Sequence, residues 1–196
     1  MMMKTAMKLI MLSLLTTIIT SSYGQKINVT KGSLGPLKNE KSINLEFRYD
    51  GMSVGKFAKE EDYIAKRRTE MNTKEAGLGD KWAESWVNDR KAAYEPKFVT
   101  LFTDYSKKTI SADAPYTLIF HTTFTEPGYN VGVWRGDALI NAIVTIVETK
   151  NRNNIIAEIS LSGSKGRMAM GSDFATSWRI AECYARAGRE LAKRMK

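Results

Sequence analysis

Residues 42–50 (SINLEFRYD) place Ile43, Leu45, Phe47 and Tyr49 on one side of an extended chain and Asn44, Glu46, Arg48 and Asp50 on the other. Successive side chains of a strand point to opposite faces, so this pattern demands a sheet with one dry and one wet side. Residues 116–124 repeat it, with Tyr116, Leu118, Phe120 and Phe124 on one face and Thr117, Ile119, His121 and Thr123 on the other. Two more strands are expected at 137–148 and 154–162. The polar turn Lys150-Asn151-Arg152-Asn153-Asn154 joins them as a hairpin. A short edge strand and a Gly-Pro turn account for residues 26–38.

Helices bunch before and after these strands. Residues 57–73 are charge-rich and read as an exposed helix. Asp80 is placed to cap a second one carrying Trp82, Trp86 and Val87, with both tryptophans in the core. Pro96 ends or kinks that helix and suits the first turn of a third, through Phe98, Phe102 and Tyr105. In the last helix Phe174, Trp178, Ala181, Ala185, Gly188, Ala192 and Met195 form one apolar stripe, opposite a Glu182–Arg186–Glu190–Arg194 ladder. Gly188 weakens a helix by about 1 kcal/mol, which is tolerable where a neighbouring backbone comes close. The order predicts one α+β domain over residues 25–196. It is a two-layer sandwich of a mostly antiparallel sheet, four to five strands wide, with helices on one face. The other face, carrying Arg48, His121, Asn141 and Glu158 among Ile119, Ile143 and Val147, is then bare or covered by a partner.

The first 24 residues read as a secretory signal peptide. Lys4 and Lys8 flank a basic start, Leu9–Ile19 is apolar, and Ser22-Tyr23-Gly24 precedes Gln25 with small residues at the cleavage positions. No cysteine follows the apolar run, so no lipid anchor is expected. No later stretch is apolar for long enough to span a bilayer. The expected location is the periplasm or the exterior. The chain carries a net charge of +9, but its densest basic spots, Lys66-Arg67-Arg68 and 189–196, are interrupted by glutamates. This reads as a solvated surface, with no nucleic acid expected as partner.

The stretch SGSKGRMAMGSDF (162–174) imitates a phosphate-binding loop, with Gly166 and Gly171 at the right interval. Ser172 stands where that loop needs its lysine, and Asp173 where it needs a hydroxyl. Ser172 or Asp173 is better read as a helix cap, with Lys165 and Arg167 left as candidate contacts for some anion. His121 is the only histidine and Cys183 the only cysteine. Metal sites built from those residues are therefore not expected, and neither is a cofactor. Glu60-Glu61-Asp62 reads as a helix's first turn, while Glu126 and Asp137 could meet across a loop. Cys183 lies away from the apolar stripe, among Arg179, Arg186 and Glu190. Either it links two chains into a homodimer or a second element covers it.

That leaves TEPGYNVGVWRGDA (125–138), with Gly128, Gly132 and Gly136 at intervals of four around Tyr129, Asn130, Trp134 and Arg135. One reading is a bulged strand extension whose Trp134 closes the core. The other is a partner- or glycan-contacting loop, since aromatics with arginine are common anchors of binding surfaces. Arg135-Gly136-Asp137 matches an integrin-recognition tripeptide, but three residues recur by chance.

The segments YDGMSVGKFAKEEDYIAKRR, GDKWAESWVNDRKAAYEPKF, TTFTEPGYNVGVWR and MGSDFATSWRIAECYARAGRELAK together resemble a family of small secreted proteins of Bacteroidetes-type bacteria. The resemblance covers nearly all of the chain after the signal. It implies an envelope location and a single α/β domain, and it brings no catalytic residue with it. The element order is also loosely similar to small α/β domains of envelope assembly proteins, such as the N-terminal domain of TolB. The function expected is a non-enzymatic module that binds an envelope protein or cell-surface polymer. The alternative is a small-molecule or glycan-binding protein, even a carboxylate-dependent hydrolase, with a pocket on the open sheet face.

Overall fold

The computed structural model describes residues 24–131, 134–166 and 176–196, and of residues 130, 131, 134 and 135 the backbone alone. The signal segment, Arg167, Ser172, Asp173 and Phe174 therefore lie outside the described residues. The chain runs β1 (Lys26–Gly32), β2 (Ser42–Arg48), β3 (Ser53–Val54), α1 (Glu60–Lys74), α2 (Leu78–Asp89), α3 (Glu95–Ser106), β4 (Thr109–Ile110) and β5 (Tyr116–Glu126). It continues through β6 (Tyr129–Val131), β7 (Trp134–Gly136), β8 (Ala138–Glu148), β9 (Ile155–Gly166) and α4 (Thr176–Arg194). A π turn, Arg90–Tyr94, joins α2 to α3, and Pro96 sits in the first turn of α3 as expected.

The α+β architecture is the expected one, with a wider sheet. Among the described residues the main sheet has seven strands, in the order β1-β9-β8-β5-β2-β4, with β3 adding to β5 beyond the end of β2. The additional strands, β3 and β4, are two residues long and too short to show alternation. β1, β9, β8 and β5 pair antiparallel. β2 and β3 lie parallel to β5 because three helices intervene, the length of crossover that parallel pairing needs.

The helices cover one face. Leu118, Phe120, Ile140, Val144, Ile146, Ile159 and Leu161 are buried there beneath Phe98, Phe102, Ile180, Tyr184 and Leu191. Phe98 and Phe120 lie 4.9 Å apart between centroids, and Phe47 meets Phe98 edge-on at 5.2 Å. A bulge between Thr122 and Phe124 shifts the register of β5 on β8. Thr122 faces the helices in phase with Phe120, and beyond the bulge Thr125 does so while Phe124, expected beside Phe120, turns to the open face.

The stripe on α4 is half of the story. Ala181, Ala185, Gly188, Ala192 and Met195 are buried, but so are Ile180, Cys183, Tyr184, Ala187 and Leu191 on a second side. Gly188 faces the backbone of Phe98 on α3, and Tyr184 reaches the sheet, its hydroxyl 2.6 Å from Thr122 Oγ1. α4 thus packs on α3 and on the sheet at once. Trp178, expected in the core, is 63% exposed. The charged ladder also pairs differently: Glu182 bonds Lys97, Arg186 donates to Gln25, and Glu190 takes Arg189 and Lys193.

α1 is held by a buried charge. Glu60 opens the helix, accepts Trp86 Nε1 at 2.6 Å, and is gripped by the Arg90 guanidinium at both carboxylate oxygens. Arg90 also lies 4.4 Å over the Tyr49 ring. Asp80 does not cap α2; it lies in its first turn and binds Arg68 and Asn72 of α1. Trp86 is buried and Trp82 packs partly buried against it, 5.6 Å away. At the opposite edge the buried Lys108 ammonium donates to Leu37 O at 2.7 Å and Glu40 O at 2.6 Å, fastening the 3₁₀ turn Gly35–Leu37 beside β4.

Burial pushes the phenols of Tyr49, Tyr94 and Tyr184 above their ordinary range. The fold therefore keeps their protons where the unfolded chain releases them, near pH 10. Stability contributed by that difference is complete below pH 10 and falls as pH rises further. Urea unfolding at stepped alkaline pH is expected to show this fall. Tyr94→Phe, which keeps the stack on Tyr184 at 5.3 Å, should make it shallower.

A Cβ on Gly188 would lie 2.5 Å from Phe98 O. Gly188→Ala gains about 1 kcal/mol of helix propensity but forces α3 and α4 apart, an overpacking cost at the upper end of about 1–3 kcal/mol or beyond. A net loss of stability in urea unfolding is the expected result.

Candidate functional site

Within 125–138 the chain leaves the main sheet after Glu126 and rejoins it at Ala138, and β6 and β7 form a separate hairpin between. β6 and β7 pair antiparallel, with Tyr129 opposite Gly136, Asn130 opposite Arg135 and Val131 opposite Trp134. Two glycines make this possible. Gly128 has a φ of +68°, and a Cβ there would meet Gly136 O at 2.5 Å. Gly136 lies under the Tyr129 ring, whose Cε1 would be 2.4 Å from an added Cβ. Tyr129 packs across the hairpin while remaining 50% exposed. The side chains of Asn130, Trp134 and Arg135 lie outside the described residues, so the two readings of Trp134 stand as they did.

The hairpin's base is fixed to the start of α4. Arg179 is buried, donates through Nε to Pro127 O at 3.4 Å, and through Nη2 to Thr176 Oγ1 at 2.8 Å. Gly128 N donates to Glu126 Oε1 at 3.1 Å, which turns that carboxylate to the hairpin's backbone. Next to Arg179 in the chain, Trp178 projects with Lys97 Nζ 5.5 Å from its ring centroid, and Lys97 also bonds Glu182. One end of the molecule therefore carries two exposed aromatic rings on backbone pinned by a buried guanidinium. Trp178 was missed by the sequence reading because its spacing matches the buried stripe.

Lys165 is not in a loop. β9 continues to Gly166, four residues past the expected end, through a kink at Gly163 (φ +69°) whose N–H is accepted by Asn141 Oδ1 at 2.9 Å. Ser164 bonds Cys183 O on the helix side, so Lys165 leaves from the open face, opposite Leu139.

Of the two expectations for Cys183, cover by a second element of this chain is the one observed. The side of α4 away from the stripe faces the sheet, and Cys183 is 0% exposed there, with Sγ 3.3 Å from Arg179 O and close to Gly166. The covering element is β9, through Gly166, and burial pushes the thiol up to about 12. A thiol reagent at pH 8 is expected to leave the native protein unlabelled and to label it once guanidinium unfolds it. Labelling of the folded chain at the unfolded rate would contradict this placement.

The open face carries the residues expected of it, with Val147 buried opposite Thr117. Ile143 is 48% exposed at its centre. The polar groups around it are tied to one another. His121 Nε2 donates to Asp50 O at 2.7 Å, and Arg48 holds Asp50 by two bonds and keeps its carboxyl below the ordinary range. Arg152 pairs with Glu46, and Lys31 with Glu158. Among the described residues no group of three His, Cys, Asp or Glu side chains could hold a metal ion, and no helix is long and apolar enough to cross a membrane. Two open clefts, of about 560 and 540 Å³, lie at the outer edge of β2 and around residues 112–116 with 148–150.

No family model and no curated protein matches the chain. Among solved structures it is similar to the PelC dodecamer of Paraburkholderia phytofirmans, at 11% identity and a TM-score of 0.37, over 83% of this chain and 97% of that one. A point variant of the same dodecamer matches at 12% identity with the same TM-score and coverage. Likeness at that level carries no function across.

Proposed function

We propose that the protein is a contact module of the bacterial envelope, binding a protein or surface polymer through the end that carries the β6–β7 hairpin. The observation behind this reading is the pair of exposed rings, Tyr129 and Trp178, at the place where buried Arg179 ties Pro127 to α4. Aromatic side chains on rigid backbone bind with little loss of conformational freedom and dominate the energetics of most interfaces. Trp134 and Arg135 belong to the same end, being carried by the strand that pairs with β6. The signal-like first 24 residues and the resemblance of the chain to small secreted proteins support the envelope location.

Alanine at Tyr129 and Trp178, or at Trp134 and Arg135, should leave the unfolding midpoint nearly unchanged and remove a discrete cross-linked product formed in the native envelope. Alanine at a central interface aromatic costs about 2 kcal/mol or more, a loss of at least about thirtyfold in affinity. Undiminished cross-linking by both double variants would remove this surface from the account.

A further inference from the structure

β2 is a ladder left half built. Thr109 N donates to Lys41 O at 2.9 Å and Ser111 N to Ile43 O at 3.1 Å, so the odd-numbered residues of β2 turn their main-chain groups toward β4. β4 pairs only with Ser42 and Ile43, and the chain then turns away toward β5. By the same alternation Leu45 and Phe47 present N–H and C=O on that outer edge, and among the described residues nothing bonds them. An unpaired strand edge is a template for another strand.

The edge faces a groove. The cleft of about 560 Å³ has Leu45, Phe47 and their neighbours as one wall, Pro96 and Val99 of α3 as the other, and Ile110 at its end. Its volume is in the range of ligand-binding clefts. Glu46, Arg48, Lys91 and Glu95 also line it, two acids and two bases, and each has a partner already: Arg152, Asp50, and Lys91 with Glu95. The groove therefore has no spare charge to neutralise an ion. It offers two N–H groups, two C=O groups and apolar walls.

The geometry points to β2 as an acceptor for an uncharged, extended segment of a partner protein, added as a strand beside Leu45 and Phe47 where β4 leaves off. Main-chain bonds to these two residues set the register, and every second side chain of the guest lies against Val99 and Pro96. A second copy of this chain is the poorer guest, since its own β2 would bring Glu46 and Arg48 into a groove whose charges are already matched. This edge is a different surface from the β6–β7 hairpin, and neither depends on the other.

The probe is the blocked peptide acetyl-Thr-Val-Thr-Val-Thr-Val-amide, titrated into the ¹⁵N-labelled protein while amide hydrogen exchange is followed. Exchange at Leu45 and Phe47 should slow by about tenfold or more, with the amides of β1 that point away from β9 unchanged. Val99→Arg, and separately Ile110→Arg on the exposed β4 residue, should abolish that protection in a folded protein. Using both keeps a folding defect in one variant from deciding the matter. Protection absent at Leu45 and Phe47, equal protection along β1, or protection that persists in both arginine variants would overturn the proposal. So would protection that follows protein concentration without peptide, which would assign the edge to a second copy.

Discussion

The closeness of α4 to α3 sets the dimensions of everything around it. Where Gly188 passes Phe98 O, no side chain separates the two helices, and alanines at 181, 185 and 192 keep the seam narrow. Only at that spacing do Phe98 and Tyr184 lie together over Phe120, and only then does the second side of α4, with Ala187 and Cys183, settle on β9. The dispersion energy of such contacts falls quickly with distance. A helix layer spread by a methyl group would lose contact with the sheet along two helices together. The tyrosine cluster shares this dependence, since Tyr49, Tyr94 and Tyr184 are desolvated by the same layer.

The long strands and α4 were legible because their signals are local and repeated. Strands of 11 and 12 residues, and a helix of 19, survive one misplaced side chain. Shorter features left no such trace. β3 and β4 exist because β5 and β2 offer edges to pair with, which is a property of the neighbours. The bulge that sends Phe124 to the open face has no residue signature in Thr122-Thr123-Phe124. Asp80 looks like a helix cap by position, yet Arg68 and Asn72 from the preceding helix take its carboxylate.

The candidate surface was half legible. Glycines at 128 and 136 with an intervening tyrosine mark a tight hairpin, and the structure shows why each is needed. Trp178 was misplaced for a physical reason. A helix that packs on two neighbours has a buried arc wide enough to leave one stripe position outside it, and periodicity gives no hint which one. The open edge at Leu45 and Phe47 was hidden because alternation reports which way side chains point and says nothing of which side of the strand remains unpaired.

The sheet also imposes an order of events. Among the described residues β1 pairs with β9 alone, Ile27 opposite Leu161, so this early strand finds its place through one of the last. In a chain delivered amino end first, whether by synthesis or by threading through a membrane, β1 waits while more than half of the molecule passes. Loop closure over that span is slow compared with forming the β8–β9 hairpin. A holding factor that shields β1 during the delay would speed the yield of folded protein without touching its final stability.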